Sequence, residues 1–197
     1  MNDIATFSTE VPNEIFDKSQ LNIVGRSKLV VHSNKKLAAP QRKGFEEFRS
    51  RLDDGFAAFY VTPGGSGWTS NFGMISEDDA KKTTSAFCDG MHGKRCVLYA
   101  TLVPEEVANR HSLPQAVTGI VKDAVEKTQS GNFIAISTNV SGRVGTSFNY
   151  DNIQDAVRDA IVQCENNVRE YQAENISVAY FLERKGYFEC ELFGVYQ

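Results

Sequence analysis

The four cysteines are the residues of this 197-residue chain best suited to covalent chemistry, and they form two local pairs. Cys88 lies near Cys96, and Cys164 lies nearer to Cys190 than to the first pair. An even number with one pair in each half favours two disulfides, each tying the end of a helix to a strand beside it. The alternative is four buried free thiols, because cysteine is among the most buried residue types.

Two more specific hypotheses assign a chemical function to Cys88, His92 and Cys96. The three side chains could bind a metal ion, but the spacing matches no common zinc motif and supplies only three ligands. A Cys88–His92 pair could act as nucleophile and base, but no oxyanion donor or third group accompanies it. We therefore predict no catalytic residue, no metal and no cofactor, and we do not expect an enzyme.

The glycine-rich run at 64–67 has the composition of a phosphate-binding loop but not its context. A P-loop continues with Lys and Ser or Thr at the start of a helix. This run is followed by Trp68 and a β-prone segment. It therefore predicts the turn of a β-hairpin.

Segment 26–51 is basic, with a net charge of about +6, whereas the whole chain carries −4. Such a segment could contact an anionic partner such as nucleic acid or membrane headgroups. No aromatic interleaving or known nucleic-acid motif supports that role. A solvated helix face next to a basic loop is the favoured interpretation, and nucleic acid is not expected as a partner. No run approaches the roughly 20 apolar residues of a membrane span.

An internal repeat organises the elements that position these residues. The aligned residues are Phe56 with Phe133, Ala58 with Ala135, Gly65 with Gly142, Thr69-Ser70 with Thr146-Ser147, Asp79-Ala80 with Asp155-Ala156, and Cys88 with Cys164. Pro40-Gln41 and Pro114-Gln115 open the helix that precedes each copy. The order of these matches predicts two copies of one unit.

The fold class predicted from this repeat is α+β, a tandem duplication of a helix-strand-strand-helix-strand unit with antiparallel hairpins. β-rich runs predict strands at 56–62, 68–72, 96–103, 133–139, 144–150, 177–182 and 187–196. Apolar stripes predict helices at 76–88 and 151–165 and one starting near 112. The expected N-caps are Ser76, Asp151 and Ser112, paired with Asp79, Gln154 and Gln115. The predicted boundaries are a loose arm over 1–25, a first unit over 26–103, a linker over 104–113 and a second unit over 114–197.

The pattern resembles a family of small bacterial exported proteins of unknown function. Its motif is aromatic-x-Ala, a glycine hairpin, a Ser-x-Asn-Tyr-like strand, a helix with Ala that ends in Cys, and a strand with Cys. The matching residues are Phe133, Ala135, Gly142, Ser147, Asn149, Tyr150, Ala156, Cys164 and Cys190, and in the first copy Phe56, Ala58, Gly65, Ser70, Asn71, Phe72, Ala80, Cys88 and Cys96. The resemblance implies export and a disulfide, and it implies no activity.

These patterns favour a non-catalytic binding or inhibitory protein of immunity type that acts on another protein. The hairpin tips differ most between the copies, so Trp68 and Arg143 are the candidate contact residues. Alternatives are an enzyme with a cleft between the repeats and a binder of an anionic partner through 26–51. The polar residues 1–13 are not an intact secretory signal. Either the protein is cytoplasmic, or it is periplasmic or secreted and its signal has been removed.

Overall fold

The computed structural model describes residues 14–23, 25–106, 111–113 and 117–197. The helices are α1 (Ala39–Arg49), α2 (Glu77–His92), α3 (Thr118–Lys127), α4 (Ile153–Glu174) and α5 (Ile176–Glu183). The strands are β1 (Asn22–Ile23), β2 (Ser27–Val31), β3 (Phe56–Val61), β4 (Trp68–Met74), β5 (Val97–Pro104), β6 (Ser112–Leu113), β7 (Phe133–Thr138), β8 (Val144–Tyr150) and β9 (Glu191–Tyr196). The predicted α+β class is confirmed.

The first sheet has the order β2-β5-β3-β4, and its pairs are all antiparallel. Every residue of β3 is buried, because both faces of this strand are covered. Successive side chains of a strand point to opposite faces. Ala57, Phe59 and Val61 pack with Phe48 of α1, whereas Phe56, Ala58 and Tyr60 pack with Ala80 and Cys88 of α2.

The second sheet has the order β8-β7-β9 and is also antiparallel. Its central strand divides its side chains in the same way. Ile134 and Ile136 pack with Val121 of α3, and Ala135 packs with Ala156 of α4. Each sheet is therefore enclosed by the helix that precedes its hairpin and the helix that follows it.

The two sheets also share irregularities of register. The β3–β4 pair is interrupted between Phe56 and Ala58, and the β7–β8 pair between Phe133 and Ala135. The pairing of each central strand with the last strand shifts after Phe59 in one sheet and after Ile136 in the other. Each interruption falls on residues that the predicted repeat aligns.

One predicted alignment is wrong by one residue. Ser70 lies opposite Phe59, but it is Thr146, not Ser147, that lies opposite Ile136. The turn between β7 and β8 is shorter by one residue than the turn between β3 and β4. The one-residue offset between the two copies therefore arises in the hairpin turn, before the return strand begins.

The predicted strand at 177–182 is wrong, because these residues lie in α5. Val178, Ala179 and Leu182 are buried at helical spacing, while Ile176 and Tyr180 are exposed. A short apolar run does not distinguish a buried strand from a helix. Only β9, which begins at Glu191, continues the sheet, after a turn at Arg184–Phe188 that contains the predicted Lys185-Gly186.

Within segment 1–25, predicted as a loose arm, the described residues make backbone contacts to β9 and β6. Phe16 forms a parallel bridge to Tyr196, and its backbone N donates to Val195 O at 2.9 Å. Strand β1 pairs in parallel with β6. Ser112 therefore lies in a strand and not at the start of a helix, and α3 begins at Thr118. The predicted Pro114-Gln115 helix opening lies outside the described residues.

The N-cap of α4 is Asn152, one residue after the predicted Asp151. Its side chain accepts hydrogen bonds from the backbone of Gln154 and Asp155 at 2.8 and 3.1 Å. Asn152→Ala should lower the free energy of unfolding by about 1 kcal/mol, because two amides lose their acceptor. Asp151→Ala should change it by less than about 0.5 kcal/mol. Urea unfolding of both variants tests the assignment, and a larger effect at Asp151 would contradict it.

Both predicted disulfides are present. Cys88 is bonded to Cys96 with Cα atoms 6.0 Å apart, and Cys164 is bonded to Cys190 with Cα atoms 6.1 Å apart. Each bond joins a helix, α2 or α4, to the residue just before the last strand of its sheet. No helix within the described ranges is long and apolar enough to cross a membrane.

Candidate binding cleft at the second hairpin

The turn between β7 and β8 is held rigidly by its own side chains. Asn139 Oδ1 accepts from Ser141 Oγ at 2.8 Å and from Arg143 N at 3.0 Å. Two other segments contact the same turn: Thr83 Oγ1 of α2 donates to Val140 O at 2.8 Å, and Ser141 N donates to Tyr187 O at 3.2 Å. The backbone of Arg143 is therefore fixed by both halves of the chain.

Beside this turn lies a cleft of about 350 Å³. One side is formed by Phe72 and Gly73 at the end of β4, together with Val117 and Ile120 at the start of α3. The opposite side is the C-terminal half of α4, which contributes Asn167, Glu170, Tyr171 and Glu174. Arg143 lines the cleft between these two sides. The cleft is thus built by elements of both sheets.

The Arg143 guanidinium is the most unusual group of this cleft. Its Cζ atom lies 4.4 Å from the centre of the Tyr171 ring, an arrangement that stabilises a cation on an aromatic face. Its Nε atom is buried and has no hydrogen-bond partner. The side chain forms no ion pair with any carboxylate in the part of the chain that the structure describes. A guanidinium held in place with unused donors is suited to bind a carboxylate.

Two acidic side chains stand at the rim of the cleft. Glu170 and Glu174 are one turn apart on α4, and both are exposed. They reduce the attraction of the cleft for a multiply charged anion. The arrangement favours a single carboxylate that reaches Arg143 and carries a cationic group near the rim.

Tyr171 provides the platform for Arg143. Burial raises the pKa of Tyr171 above its usual value, and the positive charge of Arg143 acts in the opposite direction. The Tyr171 ring also contacts Phe188 edge-on, with centroids 6.1 Å apart. These contacts fix the ring, and the ring in turn limits the positions of the guanidinium.

Trp68, the other candidate contact residue, lies at the start of β4 and is mostly packed. Its ring stacks on Phe59 with centroids 5.5 Å apart. The indole also covers Gly44 of α1, where a Cβ atom would lie only 2.3 Å from it. The structure does not bring Trp68 and Arg143 together: one packs on α1 and the other lines the cleft.

The disulfide uses both thiols of the Cys88–His92–Cys96 constellation, so the metal and nucleophile hypotheses at Cys88 are excluded. The His92 ring lies against Gly67 of the first hairpin, and its Nε2 atom is buried without a partner. Strands β3 and β4 pair antiparallel, so the glycine-rich run at 64–67 lies in a hairpin turn, as predicted. Gln41 of α1 supports this turn by donating to Gly67 O at 3.0 Å.

The sequence predicts Arg143 as a contact residue but not Tyr171 and its neighbours on α4, which line the same cleft. The sequence predicts that helix to end at 165, but it extends to Glu174. The stripe in fact continues one turn beyond Cys164 with Val168, which is buried. Extending it by another turn leads to Tyr171, so the signal was present in the sequence.

Comparison with known proteins gives no further assignment. No family model, no curated protein and no solved structure matches the chain.

Proposed function

We propose that this protein is a non-catalytic binding or inhibitory protein that acts on another protein, with the cleft at the second hairpin as its contact site. The observation that carries the proposal is the unpaired Arg143 guanidinium, fixed on Tyr171 and lining an open cleft. Burying the Nε donor of Arg143 without a hydrogen-bond partner is unfavourable. A partner carboxylate that inserts into the cleft would offset this cost.

The proposed partner presents an Asp or Glu side chain close to a Lys or Arg. The carboxylate binds Arg143, and the cation lies near Glu170 and Glu174. This pairing of opposite charges discriminates against partners with the reverse pattern. An enzyme with a cleft between the repeats is the alternative, but the described lining residues include no Ser–His or Cys–His pair that could act as nucleophile and base.

The two disulfides fit a protein that matures in an oxidising compartment. We propose the bacterial periplasm or the extracellular space as that compartment. We also infer that the two halves are copies of one unit. The matching order of β5-β3-β4 and β9-β7-β8, the shared register interruptions and the equivalent disulfides support this inference.

Arg143→Ala should weaken partner binding at least about tenfold, because it removes one side of a buried charged contact. Arg143→Lys should restore only part of the affinity that Arg143→Ala loses, because lysine lacks the planar set of donors of a guanidinium. Arg184→Ala is the matched control, because Arg184 also stacks on a tyrosine but is exposed and lies outside the cleft.

The measurement is quantitative affinity capture from the native source with all four forms, followed by binding assays on the purified partner. The expected partner is retained by the unchanged protein and Arg184→Ala and lost by Arg143→Ala. In ¹⁵N-labelled protein, the Nε–H signal of Arg143 should shift when the partner is added. A partner bound equally by all forms, with no change at that signal, would refute the proposed site.

A further inference from the structure

Strand β2 forms an open edge of the first sheet, far in sequence from the Arg143 cleft. The backbone N–H and C=O groups of successive β2 residues point alternately toward β5 and away from it. Arg26 O accepts from Glu105 N at 3.0 Å and His32 N donates to Tyr99 O at 2.8 Å, so the even-numbered residues face β5. Ser27 N points the other way and donates to Leu52 O. By the same alternation, Leu29 and Val31 direct their N–H and C=O groups away from β5.

No described strand pairs with this side of β2. Val31, the last residue of this edge strand, leaves 52% of its apolar side chain exposed. Shallow grooves lie at both ends of the edge. One of about 610 Å³ lies between β2 and α1 with Leu29 and Leu52 in its lining, and one of about 570 Å³ is lined by 31–34.

Basic side chains predominate along this edge, although Glu46 and Glu105 also line the groove beside it. Between Lys18 and Phe45 the sequence contains no Asp or Glu, although the whole chain carries a net charge of −4. Arg26 and Lys28 are exposed on the edge itself. Glu46 at the groove is paired with Arg49, so the nearest acidic group of α1 is already neutralised.

We propose that the β2 edge binds an extended acidic segment of a protein partner by strand addition. Main-chain hydrogen bonds to Leu29 and Val31 would supply affinity, and alternate side chains would supply specificity. Acidic residues of the segment meet Arg26 and Lys28, and the residues between them cover Leu29 and Val31. A second copy of this chain is a poor occupant, because antiparallel pairing of two β2 edges would bring like charges together.

The inference shares with the proposed function only the premise that the partner is a protein, and it uses a separate surface. The probe is a fluorescein-labelled octapeptide of alternating glutamate and valine, with alternating lysine and valine as its charge-reversed control. An octathymidylate and phosphatidylglycerol vesicles test whether any anion would bind. We expect the glutamate peptide alone to bind, and to slow hydrogen exchange at the amides of Leu29 and Val31.

Two variants define the mechanism. Lys28→Glu should weaken peptide binding at least about tenfold by charge reversal. Val31→Pro should do the same by removing an outward N–H, and because that N–H does not bond β5, the sheet should persist. Val31→Thr is the control for side-chain change, and circular dichroism confirms that each variant is folded.

Arg143→Ala should leave peptide binding unchanged, which separates this inference from the proposed function. Failure of the peptide to bind, or binding without protection of the two amides, would overturn strand addition at β2 while leaving the Arg143 cleft untouched. Equal binding of the oligonucleotide or the vesicles would replace it with a general anion surface. Loss of partner capture by Arg143→Ala, with peptide binding intact, would support both sites independently.

Discussion

Removal of the Cys164–Cys190 disulfide by alanine at both positions should lower the free energy of unfolding by about 3.5 kcal/mol. The bond closes a segment with a sequence separation of 26 residues, so its loss greatly increases the entropy of the unfolded chain. It also anchors α4 to the residue that precedes β9. Urea unfolding, with and without reductant, measures the effect.

The Cys88–Cys96 bond is the internal control, because its sequence separation is only 8 residues. Alanine at both of its positions should cost about 2.5 kcal/mol in the same loop-closure model. Cys88 and Cys164 are both fully buried, whereas Cys96 is buried and Cys190 is half-buried, so packing loss alone would make the Cys88–Cys96 variant the costlier of the two. Equal costs for the two pairs would show that loop length does not set the stabilisation. Any free thiol in the denatured, unreduced protein would contradict the bonds themselves.

The hairpins, the N-cap of α2 and the disulfides could be predicted from short stretches of the sequence. The hairpins follow from β-prone runs separated by glycine turns, and β8 begins and ends as predicted at Val144 and Tyr150. Ser76 caps α2 as expected by accepting from Asp79 N at 3.0 Å. The disulfides followed from one cysteine pair in each half. Each of these features is decided within a few residues or by a residue type with one dominant chemistry.

Features decided by tertiary contact were not predicted. The run 176–183 has the composition of a strand, but it packs on α2, where the ring of Phe181 lies over Gly90. The second hairpin tip was expected to be free for contact, but α2 holds it through Thr83. Arg143 was proposed as a contact residue because the hairpin tips differ between the copies, and the structure places it in a cleft with a buried Nε atom.

Gly145→Ala should destabilise the protein by about 3 kcal/mol or more, at the upper end of the usual cost of overpacking. A Cβ atom at Gly145 of β8 would lie 2.0 Å from Ala160 O and 2.3 Å from Cys164 N. Both are backbone atoms of α4, so no side-chain rotation can relieve the clash. The helix is held at this distance by Ser137 Oγ and Ser147 Oγ, which donate to Ala160 O and Ala156 O at 2.6 Å each.

The matched control is Gly119→Ala in α3, where a Cβ atom would meet nothing within 4 Å. Alanine there should stabilise the protein by up to about 1 kcal/mol, because glycine is a poor helix former. The same glycine-to-alanine change should therefore shift the free energy of unfolding in opposite directions at the two positions. Urea unfolding of both variants measures these shifts. If Gly145→Ala were tolerated within about 0.5 kcal/mol, α4 could not rest on β8 as closely as described. The Arg143–Tyr171 geometry, which depends on that helix position, would then also need revision.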